Sequence, residues 1–363
     1  MSGLSRLRVL VAGAGAVGST IAWRLQRSGA RVVLADPAGP GDNASGIAAG
    51  MLAPAFEAAL DPASAEHFSL LTAARERWPA LAAELEADGA AVDRCGALWV
   101  GDAASLERMQ HRLRGLGAAP ERLTAQAAAA LSPGLRAPAG AILVREDWRL
   151  DPGAMLAALH EAFRAAGGER LSAAVTAVDQ QTVRLRGGQA VAVDHAVVAT
   201  GMPPQDLIDP PDELAVLRPI KGQIARILGA GPAAGPALRC EGAYVVPARG
   251  GAIVGATMEP GRADRRVEPA VLERLRALAS PLFPELADAP LSGAAGVRAS
   301  TPDALPMAGP SSRPGVTLAL GARRNGWLLA PLIAEIVCAQ LAGDHPGEWA
   351  AAFDPLRAFS PPG

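Results

Sequence analysis

Arg8-Val9-Leu10-Val11-Ala12-Gly13-Ala14-Gly15-Ala16-Val17-Gly18-Ser19 decides how the chain is read. A short apolar run breaks into three glycines at G-x-G-x-x-G spacing. Ile21, Ala22 and Leu25 then recur at helical intervals up to Ser28-Gly29, and a second apolar run, Arg31-Val32-Val33-Leu34, ends near Asp36. The order is strand, glycine turn, helix, strand, acid. In such a unit Gly13 lets the chain turn sharply, Gly15 lets backbone N–H groups approach a pyrophosphate, and Gly18 lets the helix pack close to the sheet. The helix start at Ala16 and Val17 adds partial positive charge for phosphates. Asp36 lies eighteen residues beyond Gly18, a distance suited to holding a ribose hydroxyl pair. An acid there disfavours the 2′-phosphate of NADP and leaves NAD and FAD both open.

At 363 residues the chain is long enough for two domains and a large core. Half of it is hydrophobic, but charges interrupt every apolar stretch, so no membrane span is expected. Met1-Ser2-Gly3-Leu4-Ser5-Arg6 leads directly into the first strand and leaves no room for a signal peptide; the expected compartment is the cytoplasm. A net charge of −2 offers no field for nucleic acid. Cys95, Cys240 and Cys338 form no C-x-x-C, and the five histidines show no metal-ligand spacing, so no metal site is expected. The chain has one tyrosine, Tyr244, and one lysine, Lys221; any chemistry needing a phenol or a side-chain amine must use them.

Further along, residues 43–54 read as a small, nearly uncharged, flexible loop that could approach a flat ring. Residues 66–85 read as helical, 171–178 as one strand, and His195–Gly201 as a second strand-and-glycine element. Asp151 caps a helix that Pro152 opens. Residues 242–247 and 251–258 pair as a hairpin. A helix is expected over Trp327–Leu341, and the chain after Gly343 reads as loop.

Four segments together resemble the FAD-dependent D-amino acid oxidase superfamily, most closely its glycine oxidase branch of the thiamine-biosynthesis type. They are the fingerprint to Asp36; Ala48-Ala49-Gly50-Met51-Leu52-Ala53-Pro54; Tyr244-Val245-Val246-Pro247 with Gly255-Ala256-Thr257-Met258-Glu259; and Gly296-Val297-Arg298 through Thr301-Pro302-Asp303 to Arg324-Asn325-Gly326-Trp327-Leu328-Leu329-Ala330-Pro331. The branch often has Pro where this chain has Ala299, and His where it has Ala322. The resemblance implies an α/β fold in which a discontinuous Rossmann-type FAD-binding domain (1–65, 141–216, 296–345) carries an inserted α+β substrate domain built on an antiparallel sheet (66–140, 217–295), with a tail over 346–363.

It also implies FAD, held non-covalently because no cysteine stands near Arg298. The implied cofactor contacts are Gly13, Gly15, Ala16, Val17, Gly18, Asp36, Pro37, Ala44, Ser45, Ala48 to Leu52, Val175, Thr200, Gly201, Arg298 and Arg324 to Leu328. Arg298 is the implied carboxylate clamp, Tyr244 a second donor, and Met51, Met258 and Arg324 the pocket walls. The implied reaction is oxidation of glycine, sarcosine, D-alanine or D-proline to the imine by hydride transfer to flavin N5, then to the 2-oxo acid, with oxygen or another acceptor taking the electrons; its implied place is thiamine thiazole biosynthesis. Lys221 is read as structural, and a homo-oligomer is left open. Competing classes are a flavin dehydrogenase for D-amino acids or secondary amines, an NAD-dependent dehydrogenase, and a non-enzymatic nucleotide-binding partner or sensor.

Overall fold

The computed structural model describes residues 4–85 and 90–359. Met1 to Gly3, read above as the lead into the first strand, and the last four residues of the expected tail lie outside them.

Arg8–Ala12 sits inside a six-stranded sheet, four of its five residues buried. Its parallel neighbours are Arg31–Ala35 and His195–Val198, and Val11 stands in register with both Leu34 and Val197. Glu169–Leu171 and Val316–Leu320 extend the sheet in parallel; Met307–Pro310 closes one edge antiparallel. Strands buried on both faces read as unbroken apolar runs, which is why they were visible in the sequence. The helices Ala16–Arg27, Pro152–Ala165 and Gly326–Ala342 share one buried core that includes Ile21, Leu25, Leu159, Leu329 and Ile333. The Asp151 side chain accepts from Ala154 N–H and caps the middle helix as expected.

A second sheet of nine strands is almost wholly antiparallel. Its long strand Arg218–Leu228 pairs with Leu291–Ser300 and with Gly251–Gly255, and Ala243–Ala248 completes the expected hairpin. Ala237–Cys240 against Ala97–Val100 is a parallel pairing within it. The chain is thus an α/β protein in which a Rossmann-type parallel sheet is joined to an antiparallel one.

The two parts interleave more finely than the expected boundaries. Ala141–Val144 pairs with Ala97–Val100 in the antiparallel sheet, so the division at 141 is displaced; the division at 296 falls inside the strand Leu291–Ser300. Leu70, Leu71 and Trp78, assigned above to the substrate part, are buried with Ile21 and Trp23 of the nucleotide part. Strand partners are long-range and leave no trace in local composition.

Three local expectations are corrected. The helix over 66–85 is two, Phe68–Glu76 and Trp78–Leu85, since Pro79 has no N–H for the helix before it. The loop over 43–54 contains a helical turn, Ala44–Ile47, capped by the Asn43 side chain accepting from Gly46 N–H, and a strand, Met51–Leu52, paired with Trp148–Arg149. The strand over 171–178 is two, serving different sheets. The tail is loop as expected, apart from the single turn Ala351–Phe353, and it is docked: Phe353 is fully buried, and Arg357 pairs with Asp303 at 2.7 Å.

Candidate functional site

The glycine turn is a cradle closed to side chains. Gly13 has φ +106°, and a Cβ there would lie 2.4 Å from the Ala199 carbonyl oxygen; at Gly18 it would lie 1.9 Å from the Gly13 carbonyl oxygen. Ala16 N–H donates to Ser45 Oγ at 2.9 Å, which brings the Asn43-capped turn beside the fingerprint. Asp36 accepts from Ala14 N–H at 2.7 Å and from Ala38 N–H at 2.8 Å. These bonds tie the glycine turn to the end of the second strand, and a carboxylate with two bonds keeps capacity for more. Nearby in the fold, Thr200 follows Ala199 and its Oγ1 is buried without a hydrogen-bond partner. An orphan buried hydroxyl is costly, and a cofactor oxygen would satisfy it. The cradle, the acid and the orphan hydroxyl fit the dinucleotide part of FAD.

A cavity of about 440 Å³ opens beyond this cradle. The last three resemblance segments converge on it: Ala48 to Met51, Tyr244 with Met258, and Arg298 with Arg324, Asn325 and Trp327 all line it. Asn325 stands at the start of the helix Gly326–Ala342, whose N-terminal N–H groups favour negative charge. Trp327 is fixed by its Nε1–H to the Ser45 carbonyl oxygen at 2.9 Å. Leu52 and Leu328, expected against the cofactor, have buried side chains in the core, so only their backbones can face it. Val175 is buried with Ala12 and Ala35 and does not line the cavity. Pro37 is exposed at the end of the second strand.

Arg298 projects from Leu291–Ser300, in register with Ile220. Its guanidinium lies over Gly222, where a Cβ would come within 2.1 Å of Nη1, so the absent side chain makes its room. Nη1 donates to the Thr257 carbonyl oxygen at 3.4 Å and lies 3.6 Å from Met258 Sδ. No carboxylate pairs with Arg298 among the described residues. Burial pulls its pKa below the ordinary value, while Tyr244 acts the other way. The Tyr244 ring lies over Gly255, whose missing Cβ would meet the phenol oxygen at 2.4 Å. Burial raises the Tyr244 pKa, with Arg298 opposing, so the phenol stays a hydrogen-bond donor at neutral pH.

The structure adds charged groups that the sequence did not single out. Glu57, buried, takes Arg239 Nη2 at 2.6 Å on one oxygen and Arg324 Nε at 2.5 Å on the other. Asp61 pairs with Arg323 and lies 3.6 Å from Arg324 Nε. Arg324 therefore lines the cavity with its charge already taken. Burial alone would raise the Glu57 carboxyl, but Arg324 and Arg239 outweigh it and hold it below its ordinary value. One signal was available: Glu57 is the sole charged residue between Asn43 and Leu60. A lone acid in such a run needs a buried partner. Arg239 has no comparable mark.

Behind Glu57, Asp147 is fully buried and accepts from Ala55 and Phe56 N–H at 2.9 Å each. Burial pushes its pKa up to about 7 against those two bonds. Raised above its unfolded value, Asp147 contributes stability that is full below about pH 4 and lost as pH rises through about 7. The difference in urea midpoint between parent and Asp147→Asn should accordingly shrink from pH 4 to pH 8. A difference that grows over this range would mean that the carboxylate is the favoured form.

Lys221 is fully buried, with Nζ 2.7 Å from Asp264 and 3.2 Å from Glu268. It is paired with Val297, one position from the Ile220–Arg298 pair, and so points to the opposite face of the sheet from Arg298.

Comparison with known proteins follows the same lines. Over 97% of its length the chain is 30% identical to a tRNA 5-methylaminomethyl-2-thiouridine biosynthesis bifunctional protein of Chromohalobacter salexigens, of which it spans only 51%. It is 29% identical to a glycine oxidase of Pseudomonas aeruginosa, covering 93% of this chain and 96% of that one. The crystal structure of glycine oxidase from Geobacillus kaustophilus superposes with a TM-score of 0.83 at 27% identity, covering 98% of this chain and 100% of the other. Among the described residues, no helix is long and apolar enough to cross a membrane. The model of the DAO family of FAD dependent oxidoreductases matches residues 8–340, and the chain belongs to that family.

Proposed function

We propose that the protein oxidises glycine or another small amino acid, such as sarcosine, D-alanine or D-proline, at the carbon–nitrogen bond. The observation that carries this reading is Arg298: a half-buried guanidinium, without a carboxylate partner among the described residues, beside an unengaged phenol in the cavity. A substrate carboxylate entering a partly desolvated site needs a fixed cation, and a planar guanidinium can hold it with two parallel bonds. Tyr244 adds a neutral donor to the same carboxylate. The clamp leaves the substrate α-carbon and amine directed away from Arg298. Met51 and Met258 wall the cavity and keep the substrate small.

Bound FAD supplies the hydride acceptor for such a reaction. The fingerprint turn, Asp36, Thr200 and Gly201 would hold its dinucleotide, and the segments Ala44–Leu52 and Arg324–Trp327 would hold its ring end. The amine, entering neutral, loses a hydride from the α-carbon and a proton from nitrogen to give the imine. Water then yields the 2-oxo acid and ammonia, or an amine from an N-substituted substrate. The two electrons pass to oxygen as hydrogen peroxide. The resemblance implies that the imine serves thiamine thiazole formation.

Peroxide release and anaerobic flavin bleaching with glycine, sarcosine, D-alanine and D-proline test the reading. Bleaching without peroxide would make the protein a dehydrogenase with another acceptor. No bleaching by any of them would reject these four as substrates.

The Asp36 assignment has its own test. Asp36→Ala should lose flavin on gel filtration while its circular dichroism stays native. Full retention of flavin would leave Asp36 as a brace of the glycine turn only.

A further inference from the structure

The cavity carries more positive charge than one carboxylate needs. Five arginines and two acids line it, in a chain whose net charge is −2. Arg239 and Arg324 are both held in ion pairs with Glu57. Beyond Arg298, the remaining cations are Arg108 and Arg112. Neither side chain makes an ion pair or hydrogen bond among the described residues, and the one other lining acid, Glu241, pairs with neither.

The two sit on the helix Ala103–Gly115, on the face that also presents Ser105 and Met109 to the cavity. Like charges four apart on one helix face repel each other. No acid among the described residues pairs with either to offset that cost, and a bound anion would offset it. The phosphates of the dinucleotide do not explain it either, because no residue of the fingerprint turn lines this cavity.

We infer that the site takes a small amino acid bearing a second acidic group, whose first carboxylate meets Arg298 and whose second meets Arg108 and Arg112. This rests on the amino acid oxidase reading and narrows its substrate class. The second acid could hang from the α-carbon or from the amine nitrogen. The reaction is otherwise unchanged: hydride leaves the α-carbon, a proton leaves nitrogen, and an imine forms.

The test uses the FAD-loaded full chain and anaerobic flavin reduction. D-Glutamate is compared with D-glutamine, and iminodiacetate with its monoamide, in the parent and in Arg108→Gln/Arg112→Gln. Both positions are exposed, so the double variant should fold, and retained flavin checks this. One diacid or both should outperform the neutral isostere in the parent; which one does so places the second acid on carbon or on nitrogen. In the double variant that advantage should fall roughly three- to tenfold, through half-saturation and not through the limiting rate, and it should fall likewise in high salt. An amine panel that works, with no advantage for either diacid or with an advantage untouched by the double variant, overturns the inference alone. Failure of glycine, sarcosine and both diacids to reduce the flavin overturns the oxidase reading and the inference with it.

Discussion

Arg298→Ala should keep its FAD and flavin spectrum and lose most of its grip on glycine. The guanidinium is half-buried, its pKa lowered by burial, and no acid neutralises it among the described residues. Its hydrogen bond to Thr257 is long, at 3.4 Å, and holds the side chain without consuming its charge. Removing one partner of a hydrogen-bonded, desolvated ion pair costs roughly 2–5 kcal/mol, and kcat/KM for glycine should fall by the corresponding factor. Arg298→Lys should recover only part of this, since an ammonium is a point charge without the two-pronged fork. An amine lacking a carboxylate should be nearly indifferent. Anaerobic flavin reduction at a series of glycine concentrations is the measurement. A variant with the parent's rate and half-saturation would remove Arg298 from the substrate site and, with it, the main support for an amino acid substrate.

Glu57→Gln should destabilise the fold more than any other single exchange at the cavity wall. The side chain keeps its shape, but Arg239 and Arg324 lose the charge that offsets them. Arg239 is as buried as Glu57, so it cannot turn to solvent. Breaking a buried pair from one side costs about 3–5 kcal/mol, because the cation left behind is uncompensated. The pH dependence has a definite sign. Glu57 is held below its ordinary pKa, so its contribution is present above the unfolded value and is lost as pH falls through the folded one. Urea unfolding should show the full deficit at pH 7 and a smaller one near pH 3. An unchanged midpoint at pH 7 would show that solvent or a neighbouring acid takes over the role of Glu57. The same experiment separates Glu57 from Asp147: burial dominates for Asp147, and its contribution runs in the opposite direction with pH.

The two residues differ in how they could be found. Arg298 was legible because it stands in a segment whose order along the chain, after the fingerprint and before Arg324-Asn325-Gly326, carries the resemblance. Glu57 was not found, although its isolation among apolar neighbours was visible. Its partners lie 182 and 267 residues away along the chain for Arg239 and Arg324.

What the sequence alone determined is the nucleotide part and its chemistry class. A glycine turn with φ +106° at Gly13 and no room for a Cβ at Gly13 or Gly18 leaves a local and unambiguous trace, as do fully buried strands and a Pro-opened helix. What only tertiary structure decided is everything set by long-range pairing. The strands Ala141–Val144 and Leu291–Ser300 belong to the antiparallel sheet because of their partners and not their composition. Helical residues near 70 pack on the nucleotide core, and Arg324 arrives already paired with Glu57. Strand register and ion pairing are contacts between distant residues, and a lone segment carries no record of the partner that will satisfy it.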